Sequence, residues 1–193
     1  MVRLVGGPFA ALWLYFGPTF PNPLAVYIWT LVAFTALALT DWLDGFLARR
    51  FGACTRFGAF FDPLADKVLV WSFFTVFFSD SDAFFPRAAW FAIFGILTFD
   101  IISTVARIVL WLNPGAARAM EADWFGKWKT ALLYGSIFCI LAALVCIGFS
   151  RLGLPVMPAT VWLLPLSWVL PFLALWCSIA SFTISTIRTF RAH

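Results

Sequence analysis

The sequence predicts an all-helical integral membrane protein, a bundle of six transmembrane helices with both termini in the cytoplasm. Of its 193 residues, 63% are hydrophobic and only 11% are charged, and the mean hydropathy is +0.96. Soluble domains carry about a quarter charged residues, so this chain could not cover a water-facing surface with polar groups. Its apolar runs are continuous rather than alternating, which favours helices over a β-barrel as the spanning elements.

Six apolar segments follow one another, and Pro, Gly or charged residues separate them. They lie near residues 4–16, 24–48, 57–78, 88–112 and 127–149, and a sixth, whose start is blurred by four prolines, ends near residue 187. The first has about 13 residues, which at about 1.5 Å per residue is short for a hydrocarbon layer of about 30 Å. We therefore expect one membrane domain over residues 1–193 whose first helix is truncated or begins upstream.

The basic residues indicate the orientation of the chain. They lie near the ends of apolar segments rather than in a solvated block, so the net charge of +4 predicts a membrane topology and no nucleic-acid partner. Arg87 and Arg151 fall on one side of the predicted bundle. The other side, which the positive-inside rule makes cytoplasmic, receives Arg3, Arg49, Arg50, Arg56, Arg118, Lys127, Lys129, Arg188 and Arg191.

Four carboxylates interrupt the apolar sequence of the second and third predicted helices. Asp41 and Asp44 are three residues apart, and Asp62 and Asp66 are four apart, so each pair lies on one helical face. The short loop between the helices would bring the pairs together. Acids inside membrane helices are costly and usually functional.

Two interpretations of this acidic cluster remain open. Unpaired carboxylates at low dielectric cannot all stay ionised, and oxygen ligands suit Mg²⁺ or Mn²⁺, two of which can clamp a phosphoryl displacement. Alternatively, the acids pair with neighbouring cations at a helix boundary, namely Arg49, Arg50, Arg56 and Lys67.

Small residues accompany the acids. Gly45 and Ala48 lie on the face of the first pair, and Gly58 lies four residues before Asp62, so bulk is removed where a ligand or a neighbouring helix must come close. Arg49 is a permanent cation one turn beyond the first pair, suited to a phosphate or to an interfacial anchor.

These residues together resemble the signature of the CDP-alcohol phosphatidyltransferase family at all eight defining positions. The resemblance implies a six-helix, homodimeric enzyme that moves a phosphatidyl or related group from a CDP-linked lipid to an alcohol and releases CMP. It implies a two-metal centre of Mg²⁺ or Mn²⁺, with Asp66 as general base. By the same resemblance the metal ligands are Asp41, Asp44, Asp62 and Asp66, and the CDP site is lined by Gly45, Ala48, Arg49 and Gly58.

Residues 55–67 and 126–130 resemble, more specifically, the bacterial phosphatidylglycerophosphate synthases of this family. This resemblance implies CDP-diacylglycerol as donor and glycerol 3-phosphate as acceptor, in phospholipid biosynthesis at a bacterial inner membrane, with the active site facing the cytoplasm. The acyl chains of the donor would stay among the membrane lipids. Basic groups suited to the acceptor phosphate, or to simple snorkelling, are Lys67, Arg107, Lys127 and Lys129.

Phe99-Asp100 in the fourth helix keeps other functions open, because those synthases usually carry Arg-Glu there and cardiolipin synthases often carry Arg-Asp. Cardiolipin synthesis from phosphatidylglycerol, inositol-phosphate or amino-alcohol transfer, and a small transporter are the alternatives. Asp100 is seven residues from Arg107, about 10.5 Å along the axis. We therefore expect Asp100 to find a partner on another helix or to be neutral.

Overall fold

The structure, a computed structural model of the chain, describes residues 2–51, 56–79, 87–112, 124–154 and 157–191, and the regular elements in these ranges are helical. Helix α1 spans Val2–Tyr15, and a short 3-10 helix at Gly17–Thr19 leads to α2. The remaining helices are α2 at Pro23–Phe51, α3 at Arg56–Ser79, α4 at Arg87–Leu112, α5 at Trp124–Arg151 and α6 at Met157–Arg191. The all-helical prediction is confirmed for the described residues.

Three helices in the described part of the chain are long and apolar enough to cross a membrane. Their apolar windows are Pro23–Thr40 in α2, Phe125–Arg151 in α5 and Ala159–Ile184 in α6, and a shorter apolar stretch, Trp90–Val105, lies in α4. Large apolar side chains lie on the outside, with Phe91 and Trp162 each 79% exposed. Such a surface fits lipid rather than water, so the chain is a helical membrane protein.

Two adjacent glycines let α1 approach α2 and α3 closely. A Cβ atom on Gly7 would lie 2.9 Å from the Cα atom of Leu69, and one on Gly6 would lie 3.0 Å from Cδ2 of Leu37. One turn later Ala10 and Ala11 are also small and buried. Small residues at i and i+4 allow membrane helices to pack backbone to backbone, so this stripe determines where α1 crosses its neighbours.

The described residues of Met1–Phe84 and Ser136–Ser167 form one compact unit. Its core is aromatic: the rings of Phe34 in α2 and Phe73 in α3 are 5.2 Å apart at an interplanar angle of 75°, the edge-to-face arrangement that aromatic pairs favour. The second half of α5 lies against the start of α2, where a Cβ atom on Gly148 would be 2.7 Å from Cδ1 of Leu24.

Helix α6 continues through Pro171, although proline has no N–H to donate. The carbonyl of Ser167, four residues earlier, therefore lacks its usual intrahelical donor. The hydroxyl of Ser136 in α5 donates a hydrogen bond to this carbonyl at 2.9 Å, and both serines are fully buried. Membrane helices tolerate proline when a neighbouring helix satisfies the freed backbone group in this way.

The described residues of Phe85–Gly135 and Trp168–His193 form a second compact unit. Within it, α4 packs on the second half of α6: the rings of Phe99 and Phe182 are 5.7 Å apart, and a Cβ atom on Gly95 would lie 3.0 Å from Cδ1 of Leu175. This unit also contains Asp100 of α4 and the start of α5.

Candidate active site

The four acids of the predicted motif lie in two consecutive helices of the first unit. Asp41 and Asp44 are the first charged residues of α2 after an uncharged stretch at 23–40, and Asp62 and Asp66 lie in about the first three turns of α3. Only residues 52–55 connect the two helices. Both pairs therefore lie in the halves of α2 and α3 that are nearer to the connection between the two helices.

The register of α2 against α3 is determined by the contact between Phe34 and Phe73. Two long helices joined by so short a connection run antiparallel. Seven residues, which make about two helical turns, lead forward from Phe34 to Asp41 and backward from Phe73 to Asp66. Helical periodicity thus makes positions 41 and 66 level, each on the side of its helix that carries the phenylalanine contact.

Asp66 is the member of the acid set whose side chain the structure describes. Its Oδ1 atom accepts a hydrogen bond from Nη1 of Arg3, at the start of α1. The side chain of Arg3 is 5% exposed and that of Asp66 is 24% exposed. A guanidinium this deeply buried requires an anionic partner, and Asp66 supplies it.

In the sequence, Arg3 indicates only the orientation of the chain in the membrane, and its contact with Asp66 is not predicted. The contact joins residues 63 positions apart, so no local pattern reveals it. The available signal was an arginine inside an apolar helix, one turn before the close-packing Gly7.

The other predicted residues of the donor site are described by their backbone only. Their side chains, and that of Arg107 in α4, lie outside the described part; the positions concerned are Asp41, Asp44, Gly45, Ala48, Arg49, Gly58 and Asp62. Lys67 is half-buried in α3 beside Asp66. Among the described side chains no group of three metal-ligating residues occurs, since Asp66 is the one motif acid among them.

A second ion pair lies in the second unit. Oδ1 of Asp100 in α4 accepts a hydrogen bond from Nζ of Lys129 in α5. The side chain of Asp100 is 5% exposed and that of Lys129 is 15% exposed. A partner on another helix was one of the two expectations for Asp100, and it is the one that is confirmed.

The structure does not bring Lys127 and Lys129 to the same side of α5. Lys127 is exposed, whereas Lys129 is turned towards Asp100. Residues two apart in a helix are separated by about 200° around the axis. Of these two lysines, it is therefore Lys129 that has a defined position at a buried face.

The donor set of the hairpin fits a hard divalent cation. It consists of four carboxylates from two antiparallel helices, with neither imidazole nor thiolate in the motif. Carboxylate oxygens are the ligands that Mg²⁺ and Mn²⁺ prefer. A cation would also relieve the repulsion between acids at the edge of an apolar layer.

The chain is thus a helical membrane protein whose acidic motif is divided between the two helices of a hairpin. It matches a known protein family along nearly its whole length. The chain belongs to the CDP-alcohol phosphatidyltransferase family, whose model matches residues 1–187. This family is generally dependent on a divalent metal.

Several similar proteins carry the name CDP-diacylglycerol--glycerol-3-phosphate 3-phosphatidyltransferase. One from Haemophilus influenzae is 34% identical over 129 residues, which are 66% of this chain and 64% of the relative. One from Yersinia enterocolitica is 35% identical over 57% of this chain and 58% of the relative. One from Escherichia coli K12 is 49% identical over 70 residues, 36% of either chain. The matches thus span less than two thirds of these relatives, and no solved structure matches the chain.

Proposed function

We propose that the protein transfers the phosphatidyl group of CDP-diacylglycerol to glycerol 3-phosphate, giving phosphatidylglycerol phosphate and CMP in phospholipid biosynthesis. The observation that carries the proposal is the family match over residues 1–187, and the relatives named for this activity support the choice of acceptor. The eight-residue motif lies within the matched range and supplies the chemical groups that this reaction requires.

The reaction needs a base, because a hydroxyl oxygen of the acceptor attacks the phosphorus that carries diacylglycerol. One P–O bond forms, the bond from this phosphorus to the CMP oxygen breaks, and the hydroxyl proton must be taken up. Asp66 is the proposed base. Its carboxylate is 24% exposed, so it is accessible to a substrate, and its contact with Arg3 orients it.

Four carboxylates are the proposed metal ligands, and the register of the hairpin supports a joint role for both helices. The ligands are Asp41, Asp44, Asp62 and Asp66, and the ions are two of Mg²⁺ or Mn²⁺. When bound, such ions neutralise a diphosphate and stabilise the charge that develops on a leaving phosphate.

The small and basic residues of the motif are the proposed donor site. Gly45, Ala48 and Gly58 leave room for the CDP group, and Arg49 is suited to its diphosphate because guanidinium groups bind phosphate oxygens bidentately. The acceptor phosphate requires cations of its own. The candidates are Lys67, Arg107, Lys127 and Lys129. Because Lys127 and Lys129 lie on different sides of α5, Lys129 is the one of that pair that we propose as a ligand.

The proposed setting is the inner membrane of a bacterium, with six spans, both termini cytoplasmic and one family domain over residues 1–193. Residues 23–40 of α2 carry no charged side chain, and Asp41, Asp44, Arg49 and Arg50 follow them, which supports a site at the membrane boundary. At such a boundary a water-soluble acceptor meets a lipid diphosphate while the acyl chains remain in the bilayer. A homodimer is the proposed assembly, by the resemblance to the family.

The test is CMP release from CDP-diacylglycerol by the detergent-purified protein with Mg²⁺ or Mn²⁺. Glycerol 3-phosphate, phosphatidylglycerol, inositol phosphate and serine are compared as acceptors. Of the four acceptors, we expect only glycerol 3-phosphate to support CMP release. In Asp66→Asn the rate of CMP release should fall at least about a hundredfold, the scale of general-base catalysis. Ser79→Ala, an exposed position at the far end of the same helix, is the matched control.

Each other outcome identifies a different function. Release with phosphatidylglycerol alone would make the protein a cardiolipin synthase, and release with another alcohol would change the acceptor while keeping the metal site. Ion flux in liposomes without CMP release would favour a transporter. Full activity in Asp66→Asn would overturn the role of that residue as base.

A further inference from the structure

The ion pair between Asp100 and Lys129 lies where ionisable groups are expensive. Asp100 falls within the apolar stretch Trp90–Val105 of α4, and Lys129 within the apolar window Phe125–Arg151 of α5. Charged groups in such segments usually serve a function. Two apolar side chains of similar size would join the helices without the cost of desolvating two charges, so the need for stability alone does not explain the pair.

The exposure of the two partners differs in a way that matters for binding. The side chain of Asp100 is 5% exposed and that of Lys129 is 15% exposed, so the carboxylate is covered while the lysine side chain keeps some accessible surface. An ammonium group has three N–H donors. One of them is directed to Asp100, and the other two can be donated to an anion.

Lysine is a flexible ligand unless something holds it. Its four-carbon chain loses rotamer freedom when it binds, which weakens the interaction. A lysine that is already ordered by a buried carboxylate has lost that freedom beforehand, and this preorganisation increases affinity. Lys127, on the exposed side of α5, has no comparable restraint from Asp100.

We propose that Asp100 is a positioning residue that holds the ammonium of Lys129 ready for the phosphate of the acceptor. This inference rests on the proposed function, in which Lys129 binds the phosphate of glycerol 3-phosphate. Asp100 acts through Lys129 and does not itself touch the acceptor, whose anionic group it would repel.

The first test compares Asp100→Asn with Thr98→Val in the full-length protein. Thr98 is exposed on the same helix and its hydroxyl bonds only to a carbonyl of that helix among the contacts described. We expect Asp100→Asn to raise the KM for glycerol 3-phosphate by about tenfold or more, the scale on which loss of a supporting partner weakens a binding group. The KM for CDP-diacylglycerol should stay unchanged, and Thr98→Val should match the wild type in both constants.

Asp100→Glu keeps the charge and serves if the Asn variant does not fold. Its longer side chain displaces the carboxylate by one methylene, so we expect a KM for glycerol 3-phosphate between those of the wild type and a variant without the charge. An unchanged KM for glycerol 3-phosphate in the folded Asn or Glu variant would overturn the inference.

A charge exchange separates positioning from simple packing. The double variant Asp100→Lys/Lys129→Asp keeps an ion pair between α4 and α5 but moves the ammonium to the other helix. We expect the Tm of this double variant to be closer to the wild-type value than the Tm of either single variant, while its KM for glycerol 3-phosphate stays raised. Recovery of both would show that the pair only joins the helices and would overturn the inference.

Failure of the inference is distinguishable from failure of the proposed function. A wild-type protein without CMP release in the presence of glycerol 3-phosphate would overturn the function, and the inference with it. A wild-type protein that is active with this acceptor, together with unaltered acceptor KM in folded Asp100 variants, would overturn the inference alone.

Discussion

The guanidinium of Arg3 in α1 donates a hydrogen bond to the carboxylate of Asp66 in α3. Surface ion pairs contribute little to stability, but the side chain of Arg3 is only 5% exposed, so this contact lies where loss of one charged partner is costly. The contact joins the first helix to the acid for which we propose the role of base. A movement of α1 relative to α3 would therefore change the environment of the Asp66 carboxylate.

Replacing Arg3 with Met should destabilise the protein through the carboxylate that is left behind. With metal chelated by EDTA, we expect Arg3→Met to lower the free energy of unfolding by about 1.5–3 kcal/mol, the contribution of a hydrogen bond to a charged group. Arg3→Met/Asp66→Asn should recover part of this loss, because the charge that lost the guanidinium is then removed as well. Thermal or denaturant unfolding in detergent measures the four members of this cycle.

Arg151→Met is the control for loss of a cation, since Arg151 is exposed at the end of α5. It should unfold like the wild type. A coupling energy near zero between positions 3 and 66 would contradict an energetic contribution from the contact.

Two neighbouring glycines of α1 should respond differently to alanine. In Gly7→Ala the new Cβ would lie 2.9 Å from the Cα atom of Leu69, and because backbone cannot rotate away, α1 and α3 must separate. In Gly6→Ala it would meet Cδ2 of Leu37 at 3.0 Å, the end of a flexible side chain. We expect Gly7→Ala to lower the free energy of unfolding in detergent by about 1–3 kcal/mol, the cost of overpacking. Gly6→Ala should lower it clearly less.

Activity provides a second measurement on this glycine pair. Separation of α1 from α3 also moves Arg3 away from Asp66, so CMP release should fall in Gly7→Ala and stay near the wild-type rate in Gly6→Ala. Equal effects of both substitutions on Tm and on CMP release would show that the close approach at Leu69 does not determine the position of α1.

The sequence was sufficient to predict the helices. Continuous apolar runs predict the bounds of the first five helices and the end of the sixth to within a few residues, because these bounds are set by charges, Gly and Pro. The start of α6 was ambiguous because prolines usually interrupt helices. The helix begins at Met157 with Pro158 in its first turn, where an N–H has no intrahelical partner, and it continues through Pro171 because Ser136 supplies the missing donor.

The contacts between distant residues could not be predicted from the sequence. The spacing of Asp62 and Asp66 is local and follows from helical periodicity alone, whereas the pairing of Asp66 with Arg3 depends on where Gly7 lets α1 cross α3. In the same way the sequence indicates that Asp100 needs a partner on another helix, but selecting Lys129 rather than Lys127 requires the rotation of α5 about its axis. Such rotations are set by packing.

Metal binding should depend on the motif acids and can be measured without turnover. Electron paramagnetic resonance of Mn²⁺ titrated into the purified protein should detect bound ion in the wild type and much less in Asp62→Asn, because a carboxylate ligand is lost. Asp100→Asn is the matched control, an acid of α4 that is paired with Lys129, and should bind Mn²⁺ like the wild type. EDTA should abolish CMP release, and added Mg²⁺ or Mn²⁺ should restore it.

Equal Mn²⁺ binding by the wild type and Asp62→Asn would contradict the assignment of this acid as a ligand. Equal losses in Asp62→Asn and Asp100→Asn would point instead to a general effect of removing negative charge.

The hydrogen bond from Ser136 to the carbonyl of Ser167 should matter only because Pro171 has no N–H. The acceptor is fully buried, so Ser136→Ala should lower the free energy of unfolding by about 1 kcal/mol. In a Pro171→Ala background, the new N–H at position 171 can donate to the same carbonyl. Ser136→Ala should then lower the free energy of unfolding much less, and unfolding in detergent measures the difference.

Ser150→Ala is the control, because the Ser150 hydroxyl donates to the Cys146 carbonyl of its own helix. It should have little effect on the free energy of unfolding in either background. If Ser136→Ala lowered this free energy equally in both backgrounds, the missing N–H of Pro171 would not explain the role of Ser136 in the continuous helix.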